Sequence, residues 1–250
     1  MMGILETIHT QIEEAATDLG KYRPNTVDWK QRTRSAAEQL ISWLVVATPG
    51  LKLYVEGVLN APVTLRLLWK SIRMHVQLPT EQLEAFDQQL KLDEVLRDSL
   101  TGETVSNVVS RYLIERHPDS SLRSNGRSDY PDLYDSTQDY SALPVFKRKT
   151  KDTAEDEYGA SLKGKQRRPV RVPDGLEIKT CRDRISVDCH HPHAGLHLVV
   201  LFRVTAHRYL VDDVLLAFLR AADYRESARN TTATTVKYSF GGDRFVSLLG

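Results

Sequence analysis

The chain has 250 residues, 41% of them hydrophobic and 27% charged, with 34 basic residues against 33 acidic ones. That composition excludes collagen-like, disordered and disulfide-scaffold classes, and the length suits one large domain or a core with one substantial appendage. A formal charge of +1 gives no global attraction to polyanions, so any affinity for nucleic acid has to come from local clustering.

Residues 1–100 read as a helical region. Leu5, Ile8, Ile12, Ala15 and Leu19 recur at three- and four-residue steps, which places them on one helix face. Lys21-Tyr22-Arg23-Pro24-Asn25 punctuates its end. Ser35 and Glu38 have the spacing of a capping box, although the periodic pattern can begin earlier, near Thr26. Further breaks are expected at Pro49-Gly50, Asn60-Ala61-Pro62 and Pro79, with Val63, Leu67, Trp69, Leu83, Phe86 and Leu90 supplying apolar faces. Asp28-Trp29-Lys30 falls in these helical surroundings and reads as structural. The longest apolar run, Ile41 to Ala47, is too short for a bilayer, and no membrane association is expected. The Met1-Met2-Gly3-Ile4-Leu5-Glu6 start lacks the basic and apolar regions of a secretory signal. With only Cys181 and Cys189 as cysteines, a cytoplasmic location is expected.

Residues 101–250 read as a mixed α/β core. Val105, Val108, Val109, Tyr112 and Leu113 form a helical stripe that His117-Pro118 ends. Turn-forming residues follow from Asp119. Strand-like pieces then come at Leu143 to Phe146, Leu176 to Cys181 and Ile185 to Val187. Leu196 to Phe202 is apolar almost throughout and reads as a buried central strand. A basic stretch from Lys147 to Arg171, interrupted by Asp152, Glu155, Asp156 and Glu157, reads as a solvated loop or as one that tracks a phosphate backbone. Val211, Val214, Leu215, Phe218 and Leu219 have helical spacing, with Asp212 and Asp213 suited to a first turn. Val236, Tyr238 and Phe240 alternate before Gly241-Gly242, a hairpin signal leading to Phe245-Val246.

The chemistry concentrates in Val172-Pro173-Asp174-Gly175-Leu176-Glu177-Ile178-Lys179-Thr180. If the Pro-Asp-Gly is a turn and a strand begins at Leu176, Glu177 and Lys179 share one face while Leu176 and Ile178 enter the core. An acid and an amine are then held side by side on a rigid element. One carboxylate binds a hard divalent cation weakly, so a second acid is needed. Asp132, in Tyr130-Pro131-Asp132-Leu133, is the leading candidate, and Asp174 is its rival.

With these residues the sequence resembles the PD-(D/E)xK nuclease superfamily, and within it the type II restriction endonucleases. In that pattern an amphipathic helix precedes an acid, often after proline, on one strand, and an acid-x-lysine follows on the antiparallel neighbour. The helix around Val105 to Leu113, Pro131-Asp132, Glu177-Ile178-Lys179 and the apolar Leu196 to Phe202 stand in that order from about Thr101 onward. The resemblance implies a restriction-endonuclease-like mixed sheet flanked by helices. It implies Mg²⁺ held by Asp132, Glu177 and the Ile178 carbonyl, and Lys179 assisting an attacking water. It also implies double-stranded DNA as substrate, and a homodimer, because two strands require two sites. Asp132 to Glu177 is a long interval for the family, whereas Asp174 sits closer than its mismatch-repair branch usually allows. Glu103 could add a further carboxylate, or be a charge suited to a helix N-terminus. Repair nicking, junction resolution and non-catalytic DNA binding are the alternative readings.

Two further groups stand out. Cys181, Cys189, His190, His191, His193 and His197 lack the tight ligand pairs of a structural zinc site, and His191 could instead approach DNA. Arg225, Arg229, Asn230, Thr231 and Thr232 have the side chains that bind guanine and adenine edges, and equally the composition of a plain surface loop.

Overall fold

A computed structural model of the chain describes residues 1–20, 29–64, 89–95, 98–116, 121–124, 131–137, 175–189, 195–226 and 238–250. In chain order these form helices α1 (Met2–Gly20) and α2 (Trp29–Leu59), then short strands β1 (Val63–Thr64) and β2 (Gln89–Leu90). Helices α3 (Leu92–Val95) and α4 (Asp98–Glu115) follow. The remaining strands are β3 (Leu122–Ser124), β4 (Leu133–Asp135), β5 (Leu176–Arg182), β6 (Val187–Cys189), β7 (Gly195–Thr205), β8 (Arg208–Leu219), β9 (Tyr224–Glu226), β10 (Tyr238–Phe240) and β11 (Val246–Ser247).

Three layers stack. The middle one is a six-stranded mixed sheet in the order β11-β8-β7-β5-β4-β3, in which β5 and β7 run parallel and the other neighbours antiparallel. Leu176 and Ile178 of β5, Leu196, Leu198 and Val200 of β7, and Leu216 and Phe218 of β8 share one face. Ile8 and Ile12 of α1, Leu44 and Leu51 of α2, and Val105, Val109 and Leu113 of α4 bury against them in the same core. The opposite face carries Cys181, Val199, Leu215, Ala217 and Leu219, covered by Val187, Tyr224 and Phe240 of a three-stranded sheet, β6-β10-β9. Because β7 and β8 are buried on both faces, their sequences are apolar without alternation.

The helical N-terminal part and the mixed sheet with packed helices follow the expected architecture, with four departures. Arg208 to Leu219 is a strand, not a helix, paired along its length with β7. Apolar residues at helical spacing also fit a strand with both faces covered. The connecting turn places Ala206 and His207 at φ of 47° and 61°, a left-handed pair that normally advertises itself with Asn or Gly. Pro49-Gly50 does not break α2, which runs through it. The missing Pro49 donor costs helix stability, but Leu44, Ala47, Leu51 and Val55 on either side are buried in the core, and that packing carries the helix across. Ser35 is consequently inside α2 rather than at its cap. Lastly, Tyr238–Phe240 and Val246–Ser247 are not partners in a hairpin. Phe240 faces the small sheet's core and Val246 packs with the helices, so each strand joins a different sheet.

Two further expectations shift in detail. Val63 and Leu90 are register partners in the β1–β2 strand pair rather than parts of helices. The strand expected at Ile185 to Val187 instead begins at Val187. Leu143 to Phe146 and the basic stretch from Lys147 to Arg171 lie outside the described residues.

Side chains from α1, α2 and the turn that follows α2 complete the outer edge of β8. Val211 N–H donates to Glu56 Oε1 at 2.7 Å, Tyr209 N–H to Asn60 Oδ1 at 2.7 Å, and Phe218 N–H to Gln11 Oε1 at 2.8 Å. The Asn60 amide also donates to the Tyr209 carbonyl and the Gln11 amide to that of Arg244. In between, β11 supplies the ladder.

Candidate active site

The β4–β5 ladder consists of a single register pair, Leu133 with Leu176. Beyond it the strands part, and two carboxylates take over from the ladder. Asp132 Oδ2 accepts the Ile178 N–H at 2.7 Å, and Glu177 Oε2 accepts the Asp132 N–H at 3.2 Å. Gly175 permits the approach, since a Cβ there would collide with the Pro131 ring and lie 2.6 Å from the Leu133 carbonyl oxygen. A residue's N–H and C=O leave a strand on the same side, so the Ile178 carbonyl also points to this open edge.

Glu177 and Lys179 share a face of β5, as its alternation predicts. Lys179 Nζ lies 2.5 Å from Glu177 Oε1, and the two side chains are 22% and 6% exposed. Burial pushes the Glu177 carboxyl up to about 7, against the pull of the Lys179 ammonium, and the neighbouring Asp132 carboxylate adds to the rise. Burial likewise raises Asp132, with Lys179 and the Ile178 N–H opposing it. Burial works against the Lys179 charge as well, but Glu177 and Asp132 together outweigh it, and the ammonium is held above its ordinary value. Two acids and one base thus share a poorly solvated site with a net negative charge when all three ionise.

The group borders a cleft of about 640 Å³. Ile178, Lys179 and Thr180 of β5 and Asp132 form one wall. Glu103, Ser106, Asn107 and Ser110 of α4 form the second, and Ser186 and Asp188 close the far side. Helix α4 is fixed there by Thr180, whose hydroxyl donates to the Gly102 carbonyl at 3.1 Å. Ser106, Asn107 and Ser110 are additions to Glu103 that the sequence reading does not name, although all four keep helical spacing opposite the Val105–Val109–Leu113 stripe. Asp188 gave no signal, because only the packing of β6 brings it here.

Of the other candidates, Glu103 reaches the cleft wall from the second turn of α4, and Arg225 is exposed on β9. Asp174, His191, Arg229 and Asn230 lie outside the described residues. His197 is in register beside Glu177 but fully buried. Its ring nitrogens engage the Gly195 carbonyl at 2.8 Å and the Tyr224 hydroxyl at 2.9 Å, an arrangement that leaves it in the core. Cys181 and Cys189 form no disulfide, and burial raises the Cys181 thiol to about 11.

Among the described residues no three His, Cys, Asp or Glu side chains converge as a metal cage. Zinc sites need three or four such ligands, whereas Mg²⁺ is content with one or two carboxylates plus carbonyl, water and phosphate oxygens. Asp132, Glu177 and the Ile178 carbonyl are a donor set of the second kind. No described helix is long and apolar enough to cross a membrane.

The sequence matches no protein-family model and no curated protein. Among solved structures, the chain is similar to the crystal structure of the restriction endonuclease BglI bound to its DNA recognition sequence. The TM-score is 0.40 with 10% identity, covering 97% of this chain and 97% of that one. A likeness that loose transfers no residue role.

Proposed function

We propose that the protein is a Mg²⁺-dependent endonuclease of the type II restriction class, hydrolysing phosphodiester bonds in double-stranded DNA at specific sites. One observation carries the reading: Asp132, Glu177 and Lys179 meet at the open edge of β5, beside a polar cleft. The two carboxylates and the Ile178 carbonyl would hold the cation. When bound, it supplies Lewis-acid stabilisation of the charge that develops on the phosphoryl oxygens. Lys179, a compact point charge beside Glu177, orients the attacking water and offsets the negative charge of the incoming phosphate. The water oxygen forms the new bond to phosphorus in line with the departing ester oxygen. Burial of Glu177 and Lys179 strengthens each of these interactions.

Cutting both strands requires two such sites, which favours a homodimer on a two-fold symmetric target. A cytoplasmic setting accords with Cys181 and Cys189 forming no disulfide. Incubation of the purified chain with phage DNA tests the reading. Discrete fragments are expected with Mg²⁺ and none with chelator, and Glu177→Ala and Lys179→Ala should bind DNA without cutting it. Unchanged cleavage by both variants would overturn the assignment. Nicked circles or branch-selective cutting would redirect it to a repair or junction-resolving nuclease.

A further inference from the structure

Asp188 of β6, Ser239 of β10 and Arg225 of β9 are register partners across the three-stranded sheet. Directly opposed residues on neighbouring strands point to the same face. Val187, Phe240 and Tyr224, one position away on each strand, are buried against the main sheet. The row therefore lies on the outward face, with Asp188 and Arg225 exposed. It spans two strand spacings, ~10 Å. One end is at the cleft, because Asp188 lines the same cavity as Asp132 and Lys179.

The chemistry of the row is mixed. An acceptor-only carboxylate, a hydroxyl and a donor-only guanidinium stand in line. A surface that tracks phosphates presents donors throughout, and a carboxylate in it would repel the backbone. Base edges in the major groove are mixed in the same way. Guanine offers O6 and N7 to arginine, cytosine offers its N4 amine to an acid, and a hydroxyl serves either.

We propose that the outer face of the β6-β10-β9 sheet reads base edges of duplex DNA through Asp188, Ser239 and Arg225, next to the cleavage site. This rests on the nuclease reading above and names the residues that select its target. At ~3.4 Å per base pair, the two ends of the row span about three base pairs.

Selection from randomised duplexes tests it, using the full-length chain with Ca²⁺ in place of Mg²⁺, alongside sequencing of Mg²⁺ cleavage ends. Asp188→Asn and Arg225→Ala should each relax preference at one base position by roughly 10- to 100-fold, the two positions lying about three pairs apart. Arg225→Lys keeps the charge but loses the fork, and should lose discrimination while holding affinity for random duplex within a few-fold. A selective wild type whose preference is the same in Asp188→Asn and Arg225→Ala overturns the reading row and leaves the nuclease intact. Uniform weakening without altered preference does the same. A wild type that neither binds nor cuts duplex DNA overturns both.

Discussion

Glu177 and Asp132 are joined by a backbone donor: the Asp132 N–H reaches Glu177 Oε2 at 3.2 Å, so the two carboxyl groups are held near one another before any ligand arrives. Like charges in a poorly solvated place resist ionisation, and Lys179 compensates only part of that cost.

The contribution of Glu177 to stability without metal should fall as pH rises through the acid range. The Glu177 carboxyl titrates near 7 in the native protein against 4.5 ordinarily, so the native state retains a proton that the unfolded chain has lost. Between those values unfolding releases that proton, and this contribution therefore drops with rising pH before levelling above about 7. Glu177→Gln should flatten this slope. Urea unfolding of both proteins from pH 4.5 to 8 measures it, and identical slopes would refute the assignment.

Removing the ammonium should hurt most at high pH. Lys179→Ala leaves a buried carboxylate without its partner, a loss of about 3 kcal/mol when that group is charged. At pH 5.5 Glu177 takes up a proton and the loss should shrink. Thermal melts of the variant and the parent at pH 5.5 and 8 give the comparison.

Mg²⁺ should raise the melting temperature at pH 8 more than at pH 5.5, since cation and proton compete for Glu177. Asp132→Ala should abolish that shift together with cleavage, and Asp174→Ala should preserve both. The reverse result would make Asp174 the first acid.

Gly175→Ala should cost about 1–3 kcal/mol through overpacking against Pro131 and the Leu133 carbonyl. It should also lower cleavage activity, because the same contact sets the height of Asp132 beside β5. Denaturant unfolding and a plasmid-nicking assay report the two effects separately.

Much of this arrangement was legible in the sequence. Glu177 and Lys179 alternate with Leu176 and Ile178, and that two-residue period alone predicts the shared face later seen on β5. Asp132 lies beside Glu177, while Asp174, its rival as the first acid, lies outside the described residues. What stayed hidden depended on layers. Val214 to Leu219 carries no alternation because helices bury one side of it and the small sheet the other. Asp188 enters the cleft only through the pairing of β6 with β10, a contact between segments fifty residues apart that no local pattern encodes.

The amide side chains of Gln11 and Asn60, with the Glu56 carboxylate, have a consequence for how this chain can be shortened. They occupy the places on β8 where a foreign strand would otherwise dock. A version trimmed of α1 and α2 would expose an apolar, untwinned border, and its failure would be clumping into fibrils or inclusion bodies as much as loss of native structure.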